Sequence, residues 1–339
     1  MDQPTTIGLD LAKNVFQIHG VDLEGNVVCR RQLRRSRVLT FFDRLRPCLV
    51  GMEACAGAHH WARELAALGH EVRLMPPAYV KPYVKRGKTD AADAEAICEA
   101  VTRPTMRFVP VKSAERQAAL LDHKARDFLV RQRTQIVNAI RAHLGEFGVV
   151  VAKGIHNVDR FFDAACDMPD AARPAMDMLV DQLRDTQARI EAVTARIGEM
   201  QGEDALARRL ATVPGVGTIS SSAFAATTPD VAVFHSARDY AAWLGLTPKA
   251  HSSGGKERLG RITKAGNRYL RRLLYLGAMA QISARRGRRE VASGRVPDWL
   301  DQMLARKPVK VVAIALANRM ARTIWALIAR GSSYRAAPA

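Results

Sequence analysis

Acidic side chains are in short supply. The 339 residues carry 33 aspartates and glutamates against 52 lysines and arginines, a formal net charge of +19. That shortage points to a polyanionic partner, most simply nucleic acid. It is uneven along the chain. Residues 1–112 hold 17 basic and 12 acidic side chains, residues 113–250 hold 16 and 17, and residues 251–339 hold 19 and 4. Cysteine is also sparse: Cys29, Cys48, Cys55, Cys98 and Cys166 are scattered and form no Cys-x-x-Cys pair. This excludes the spacing of a zinc ribbon or a disulfide framework and fits a reducing cytoplasm. No uninterrupted apolar run reaches the ~18 residues of a membrane span. The first residues lack the basic then apolar pattern of a secretory signal, and no membrane partner is expected.

What is present begins with Ile7-Gly8-Leu9-Asp10-Leu11-Ala12-Lys13. An ionised carboxylate in an apolar strand is costly unless something pairs with it, and a bound cation is one natural partner. The pattern predicts strands over 5–9, 15–21 and 27–33, with a Gly25-Asn26 turn between the second and third. Ser36 reads as the N-cap of a helix through Arg46, Leu49–Met52 as a strand ending in Glu53, and Ala58–Leu68 as a helix. Glu71–Met75 is the next strand. A basic loop, 79–88, carries Lys85, Arg86 and Lys88, and Thr89 or Asp90 opens an Ala-rich helix to Val101. The order β-β-β-α-β-α-β-α suggests a mixed sheet with helices on its faces, with a site at the strand ends.

Four carboxylates fall where such a site would lie. Asp10 ends the first strand and Glu53 the fourth. Asp90 and Asp93, three apart on a helix, share one face. Singly, each has an ordinary use as a turn former, a cap or a first-turn acid. Four carboxylates converging without basic partners would repel one another unless divalent cations lay between them. One or two Mg²⁺ ions so held suit in-line phosphoryl transfer.

This tetrad on this topology resembles the Asp-Glu-Asp-Asp site of a RuvC-like, RNase H-fold nuclease domain. Four stretches are more specific: Gly8-Leu9-Asp10-Leu11-Ala12-Lys13; Met52-Glu53-Ala54-Cys55 with His59 and Trp61-Ala62-Arg63; Tyr79-Val80-Lys81-Pro82-Tyr83-Val84; and Asp90-Ala91-Ala92-Asp93-Ala94-Glu95-Ala96-Ile97. They resemble the transposases of the insertion sequence 110 family, closest to its insertion sequence 1111 branch. The resemblance covers nearly the whole chain.

The remainder is helical. Gln117–Gly145 and Met176–Met200 carry apolar residues near helical spacing and suggest either an antiparallel coiled-coil arm or an ordinary helical subdomain. The resemblance favours an arm that pairs protomers into a dimer or tetramer. Pro214-Gly215-Val216-Gly217 looks like a helix-hairpin-helix turn. Gly215 and Gly217 would allow the turn, and the N–H groups at the start of the next helix could hold a phosphate. The segment 247–267 is hydroxyl-bearing, glycine-punctuated and basic, with Ser252, Ser253, Lys256, Arg258, Arg261 and Lys264. Its composition allows a flexible phosphate-binding loop or a loop presenting a serine nucleophile. Arg268, Arg271, Arg272, Arg285 and Arg286 extend the basic surface and suit a phosphate backbone. Val309–Leu327 reads as an apolar core helix.

The resemblance implies that Ser253, or adjacent Ser252, attacks donor and target DNA to form a 5′-phosphoserine link while the tetrad holds Mg²⁺. It implies a composite active site, a noncoding guide (bridge) RNA partner, and action at the bacterial nucleoid. The expected organisation is a RuvC-like domain (1–112), a helical arm (113–205), a helical serine domain (206–330) and a disordered tail (331–339). Three other readings remain open: a junction resolvase using only metal and water, an actin- or sugar-kinase-type ATPase, and a non-enzymatic helix-hairpin-helix protein. The ATPase reading lacks further Gly-rich phosphate loops and leaves the basic C-terminal block unexplained.

Overall fold

The computed structural model describes residues 3–335 apart from Arg86, Lys88, 153–159, 161–162, 164–168, 252–257 and 290–297, and describes only the backbone of 286–289. Ser252, Ser253 and Lys256 therefore lie outside the described residues, as does the side chain of Arg286. The chain divides into two compact units, Met1–Gln117 and Ala118–Ala339.

The first unit is built on a five-stranded sheet of order β3-β2-β1-β4-β5. Strands β1 (Thr6–Asp10), β2 (Val15–Val21) and β3 (Val27–Arg34) form an antiparallel meander, and β4 (Leu49–Glu53) and β5 (Glu71–Met75) run parallel to β1. The turn between β2 and β3 forms because Gly25 takes φ +88° and the Asp22 carboxylate accepts the Asn26 N–H at 2.8 Å. One face of the sheet buries Ile7, Leu9, Phe16, Val50 and Met52 under helices α1 (Val38–Phe42) and α2 (Ala58–Ala67), which contribute Phe42, Trp61 and Leu65. After α3 (Pro77–Val80), helix α4 (Asp90–Val101) supplies Ala96, Ile97, Ala100 and Val101 to a second cluster with Met75 and Val80.

Two local expectations change. Ser36 does not cap a helix to Arg46. Arg35–Arg37 forms a 3-10 turn, and only Val38–Phe42 is α-helical, without a side-chain cap. The reason is that β3 runs on to Arg34 and the Arg35 N–H is held by the Asn14 carbonyl at 2.8 Å, which places Ser36 inside a tight turn. The basic loop begins as a helical segment, Pro77–Val80 followed by a 3-10 turn at Lys81–Tyr83, because Pro77 occupies the first helical position, where its missing N–H costs nothing.

In the second unit, helices α5 (Ala114–Glu146) and α6 (Arg173–Glu203) lie antiparallel. Arg196 pairs with Asp122, Arg126 donates to Thr194 at 2.8 Å, and Arg133 to Gln187 at 2.7 Å, while Ile136, Ile140 and Leu144 pack on Met176, Val180 and Leu183. A second core joins α7 (Ala205–Leu210), α8 (Thr218–Thr227), α9 (Ala237–Trp243), α10 (Arg268–Arg289), α11 (Trp299–Arg306) and α12 (Val309–Arg330). Among the described residues α12 alone is long and apolar enough to cross a membrane, and its Val312, Ala313, Leu316, Ala317, Met320 and Ile324 are buried in this core. Gly331 ends α12 in the left-handed conformation, and the Tyr334 N–H reaches Thr212 Oγ1 at 2.9 Å.

A buried polar link ties α5 to this core. His123, 2% exposed, lies 3.2 Å from the Tyr269 hydroxyl and 3.1 Å from Ser222 Oγ. Burial, helped by Arg126, pushes its pKa down from 6.5 to about 4. The folded state thus prefers neutral imidazole. The contribution is complete above the unfolded pKa and is lost as pH falls from 6.5 toward 4, on the order of 3 kcal/mol in all. Thermal melts at several pH values in that window should show a steeper acid loss for wild type than for His123→Gln.

Candidate active site

After Thr6, strand β1 is apolar until its last residue, half-buried Asp10. Its parallel ladder with β4 pairs Thr6 with Leu49 and ends with Leu9 opposite Met52, so one residue further Asp10 faces Glu53. The Cys55 thiol reports both charges: burial pushes its pKa up, and Asp10 and Glu53 push it further.

Two glycines bring the other acids in. Gly8 and Gly51 are partners in the β1–β4 ladder. A Cβ on Gly8 would stand 2.1 Å from the Ala94 carbonyl oxygen and 2.5 Å from the Cys98 nitrogen, and one on Gly51 2.7 Å from Val101 Cβ. Helix α4 therefore lies flush on a trough that only glycine leaves open. Thr89 caps it, accepting the Ala92 N–H at 3.2 Å, so neither acid of the first turn is consumed as the cap. Asp90 and Asp93 sit at the positive end of the helix dipole. The carboxylates of Asp10, Asp90 and Asp93 each bring an oxygen within 4.8 Å of the other two. Glu53 is outside that group of three and stands beside Asp10 by strand register.

This donor set fits a hard divalent cation, since all three groups offer carboxylate oxygens, the donors such a cation takes.

Several residues assigned from sequence to nucleic acid are engaged by the protein itself. Lys85 pairs with Glu95 of α4 at 2.6 Å. Arg271 donates to the carbonyls of Leu244 at 2.8 Å and Ala265 at 2.7 Å. Arg272 pairs with Asp127, and Arg285 grips Asp301 with two bonds of 2.8 and 2.7 Å and Asp298 at 2.7 Å. A sequence lists the cations of a basic block but cannot tell which of them distant acids will claim. Arg261, Lys264 and Arg268 are exposed, and Arg258 is exposed with an interaction of its own.

The Pro214–Gly217 turn joins α7 to α8. Gly215 takes φ +77° and packs against α10, where a Cβ would stand 2.7 Å from the Gly277 oxygen, so close packing accounts for this glycine. Gly217 is exposed at the start of α8, where among the described residues no side chain caps the first-turn N–H groups. The serine segment emerges from a feature the sequence did not reveal: a two-stranded antiparallel hairpin, β6 (Pro248–Ala250) and β7 (Leu259–Ile262), closed by His251 N–H to the Arg258 carbonyl at 2.8 Å. Both strands are exposed, so no buried alternation marked them. The buried His123–Ser222–Tyr269 link was also missed, since only packing brings residues so distant in the chain together. The glycine trough had a signal, glycine inside two neighbouring strands.

Comparison with known proteins gives two family matches. Residues 7–148 match the Asp-Glu-Asp-Asp transposase family of IS110 elements, and residues 207–292 match the family described as Transposase IS116/IS110/IS902. The chain is 49% identical to a probable family 20 transposase of Pseudomonas aeruginosa, covering 97% of this chain and 98% of that one. It is 38% identical to the transposase for insertion sequence element IS1328 of Yersinia enterocolitica, over 98% and 99% of the two chains. It is 35% identical to the transposase for IS1111A of Coxiella burnetii, over 97% and 91%.

Proposed function

This chain belongs to the IS110/IS116/IS902 family of transposases, and on that premise we propose how it acts on DNA: Asp10, Glu53, Asp90 and Asp93 would hold Mg²⁺ for cleavage of the phosphodiester, and Ser253 is the nucleophile. The observation that carries the acidic half is the meeting of Asp10, Asp90 and Asp93 at the end of the mixed sheet. A divalent cation held there supplies Lewis-acid stabilisation of charge developing on the phosphate. The protein's own part is to fix three oxygens from two elements, a strand end and a helix start, through the contact of α4 with Gly8 and Gly51.

The serine step conserves the phosphodiester. Ser253 Oγ loses its proton and attacks phosphorus. The P–O3′ bond breaks, leaving a 5′-phosphoserine and a free 3′-hydroxyl. Attack by another strand's 3′-hydroxyl then reforms a DNA phosphodiester and returns the serine hydroxyl. This reading rests on the family and on the resemblance of the Ser252-Ser253-Gly254-Gly255 stretch to the family's serine segment; the stretch falls within the matched residues 207–292. A noncoding guide RNA from the element itself is a further part of the proposal, supported by the basic C-terminal block. The antiparallel helices α5 and α6 form an arm for pairing protomers, supported by the exposed apolar side chains of Leu121, Phe128 and Met178.

On a nicked suicide substrate, wild type should give a covalent protein–DNA band that survives denaturation. Ser253→Ala should give none, and Ser252→Ala should keep it. If Ser253→Ala joins DNA as wild type does, the serine mechanism is wrong. Cleavage by wild type without a covalent band would assign the attack to water.

A further inference from the structure

We propose that the first unit carries a second nucleic-acid contact: a cationic cavity formed by Arg34, Arg35, Asn14, Ser36 and His60 over Trp61, which holds a backbone phosphate of the DNA strand presented to the acidic cluster. The cavity measures about 580 Å³. Among the described residues no carboxylate lines it, and every polar side chain on its wall carries an N–H or O–H that can donate to a phosphate oxygen. Glu64 is the nearby acid on the same element, 3.7 Å from the His60 ring.

Arg35 is held in place for this role. Its backbone N–H is fixed to the Asn14 carbonyl at 2.8 Å, and its guanidinium lies 5.0 Å from the Trp61 ring centre and 5.9 Å from that of Phe16. A guanidinium stacked on aromatic rings loses less freedom on binding than an extended surface arginine. Trp61 itself is only 5% exposed, so the cavity offers donors rather than a stacking platform for a base. This fits a phosphodiester read without sequence preference.

The place in the fold identifies the strand. β1 ends at Asp10, β2 begins at Val15, β3 ends at Arg34 opposite Val15, and β4 ends at Glu53. All four termini lie at one end of the sheet. The acids gather on the α4 side of that end, and the cavity opens beside α2. The turn 11–14, exposed from Ala12 on and carrying Lys13, joins the two. A strand whose scissile phosphate lies at the acids needs neighbouring phosphates neutralised by cations, and the acidic cluster provides none. The inference rests on the proposed cleavage site only for the identity of the strand.

The test uses the full chain in excess EDTA, so that no cleavage is needed. A photoreactive amino acid replaces Ser36 in the cavity or, as control, Leu23, which is 85% exposed in the turn at the opposite end of the sheet. The probe is a fluorescein-labelled single-stranded DNA oligonucleotide, run beside an RNA of the same sequence. DNA should crosslink at position 36 well above position 23. Arg34→Gln with Arg35→Gln should lower the yield about tenfold, the order expected for two lost phosphate contacts. Arg34→Gln alone leaves the Arg35–Trp61 contact intact and should lower it about threefold by the same reasoning. Because the assay runs in EDTA, where no cleavage takes place, a failed cleavage mechanism and a failed cavity give different results. Equal yields at positions 36 and 23, yields unmoved by removing both arginines, or crosslinks to RNA alone would overturn the proposal.

Discussion

Asp10→Asn is expected to abolish DNA cleavage, with a loss of about a thousandfold or more, the rate equivalent of about 4 kcal/mol of metal-dependent stabilisation. Asp10 shares the cluster with Asp90 and Asp93 and the strand end with Glu53, so it faces every other acid of the tetrad. Asparagine keeps its size and one carbonyl oxygen but removes the charge. Two measurements separate a metal ligand from a structural acid. Without divalent ions, wild type carries the repulsion of clustered carboxylates, and Asp10→Asn relieves it, so the variant should melt at the same or a slightly higher temperature. With millimolar Mg²⁺ or Mn²⁺ the order should reverse, because a ligand that binds only the folded state raises the melting temperature of wild type. A variant that melts lower in EDTA and still gains from Mg²⁺ would show that Asp10 is a fold residue and not a ligand.

Gly8→Ala is the second large effect. The added Cβ would stand 2.1 Å from one backbone atom of α4 and 2.5 Å from another, and backbone cannot swing aside as a flexible side chain can. Overpacking by a single methyl costs about 1–3 kcal/mol where side chains absorb it, and the upper end or beyond applies here. The helix must lift from the sheet, carrying Asp90 and Asp93 away from Asp10. Cleavage should therefore fall further than stability does, and Mg²⁺ should no longer raise the melting temperature. Gly202→Ala is the control. The same methyl meets nothing within 4 Å in the helix α6, where alanine is favoured over glycine by about 1 kcal/mol, so that variant should be slightly more stable. If Gly8→Ala melts within a degree of wild type and keeps its response to Mg²⁺, the trough does not position the acids.

The first unit was readable because its signals are local. β2 and β5 span the predicted residues, and β1, β4 and α4 match to within a residue at either end, since each is a short apolar run or an Ala-rich stretch between clear breakers. The second unit was readable as helices and less so as chemistry. The β6–β7 hairpin has no apolar face to announce it, and α10 starts at Arg268, within the basic run, because Asn267 caps it by accepting the Tyr269 N–H at 2.9 Å. The arginines show the limit most plainly. In the sequence Arg271, Arg272 and Arg285 look like Arg261 and Arg268. In the fold the first three are held by carbonyls and carboxylates, Arg272 while still exposed, and Arg261 and Arg268 are exposed.

By itself the sequence determined the basic surplus and where it lies, the order of the strands and helices in the first unit, and the placing of carboxylates at the ends of apolar strands. These follow from composition and from periodicities of two and 3.6 residues, which any short window reveals. Only the tertiary structure decided which carboxylates meet, how closely α4 settles on Gly8 and Gly51, and which cations remain for a partner. Those depend on strand register and on pairs such as Asp127 with Arg272, far apart in the chain and joined only when the core closes.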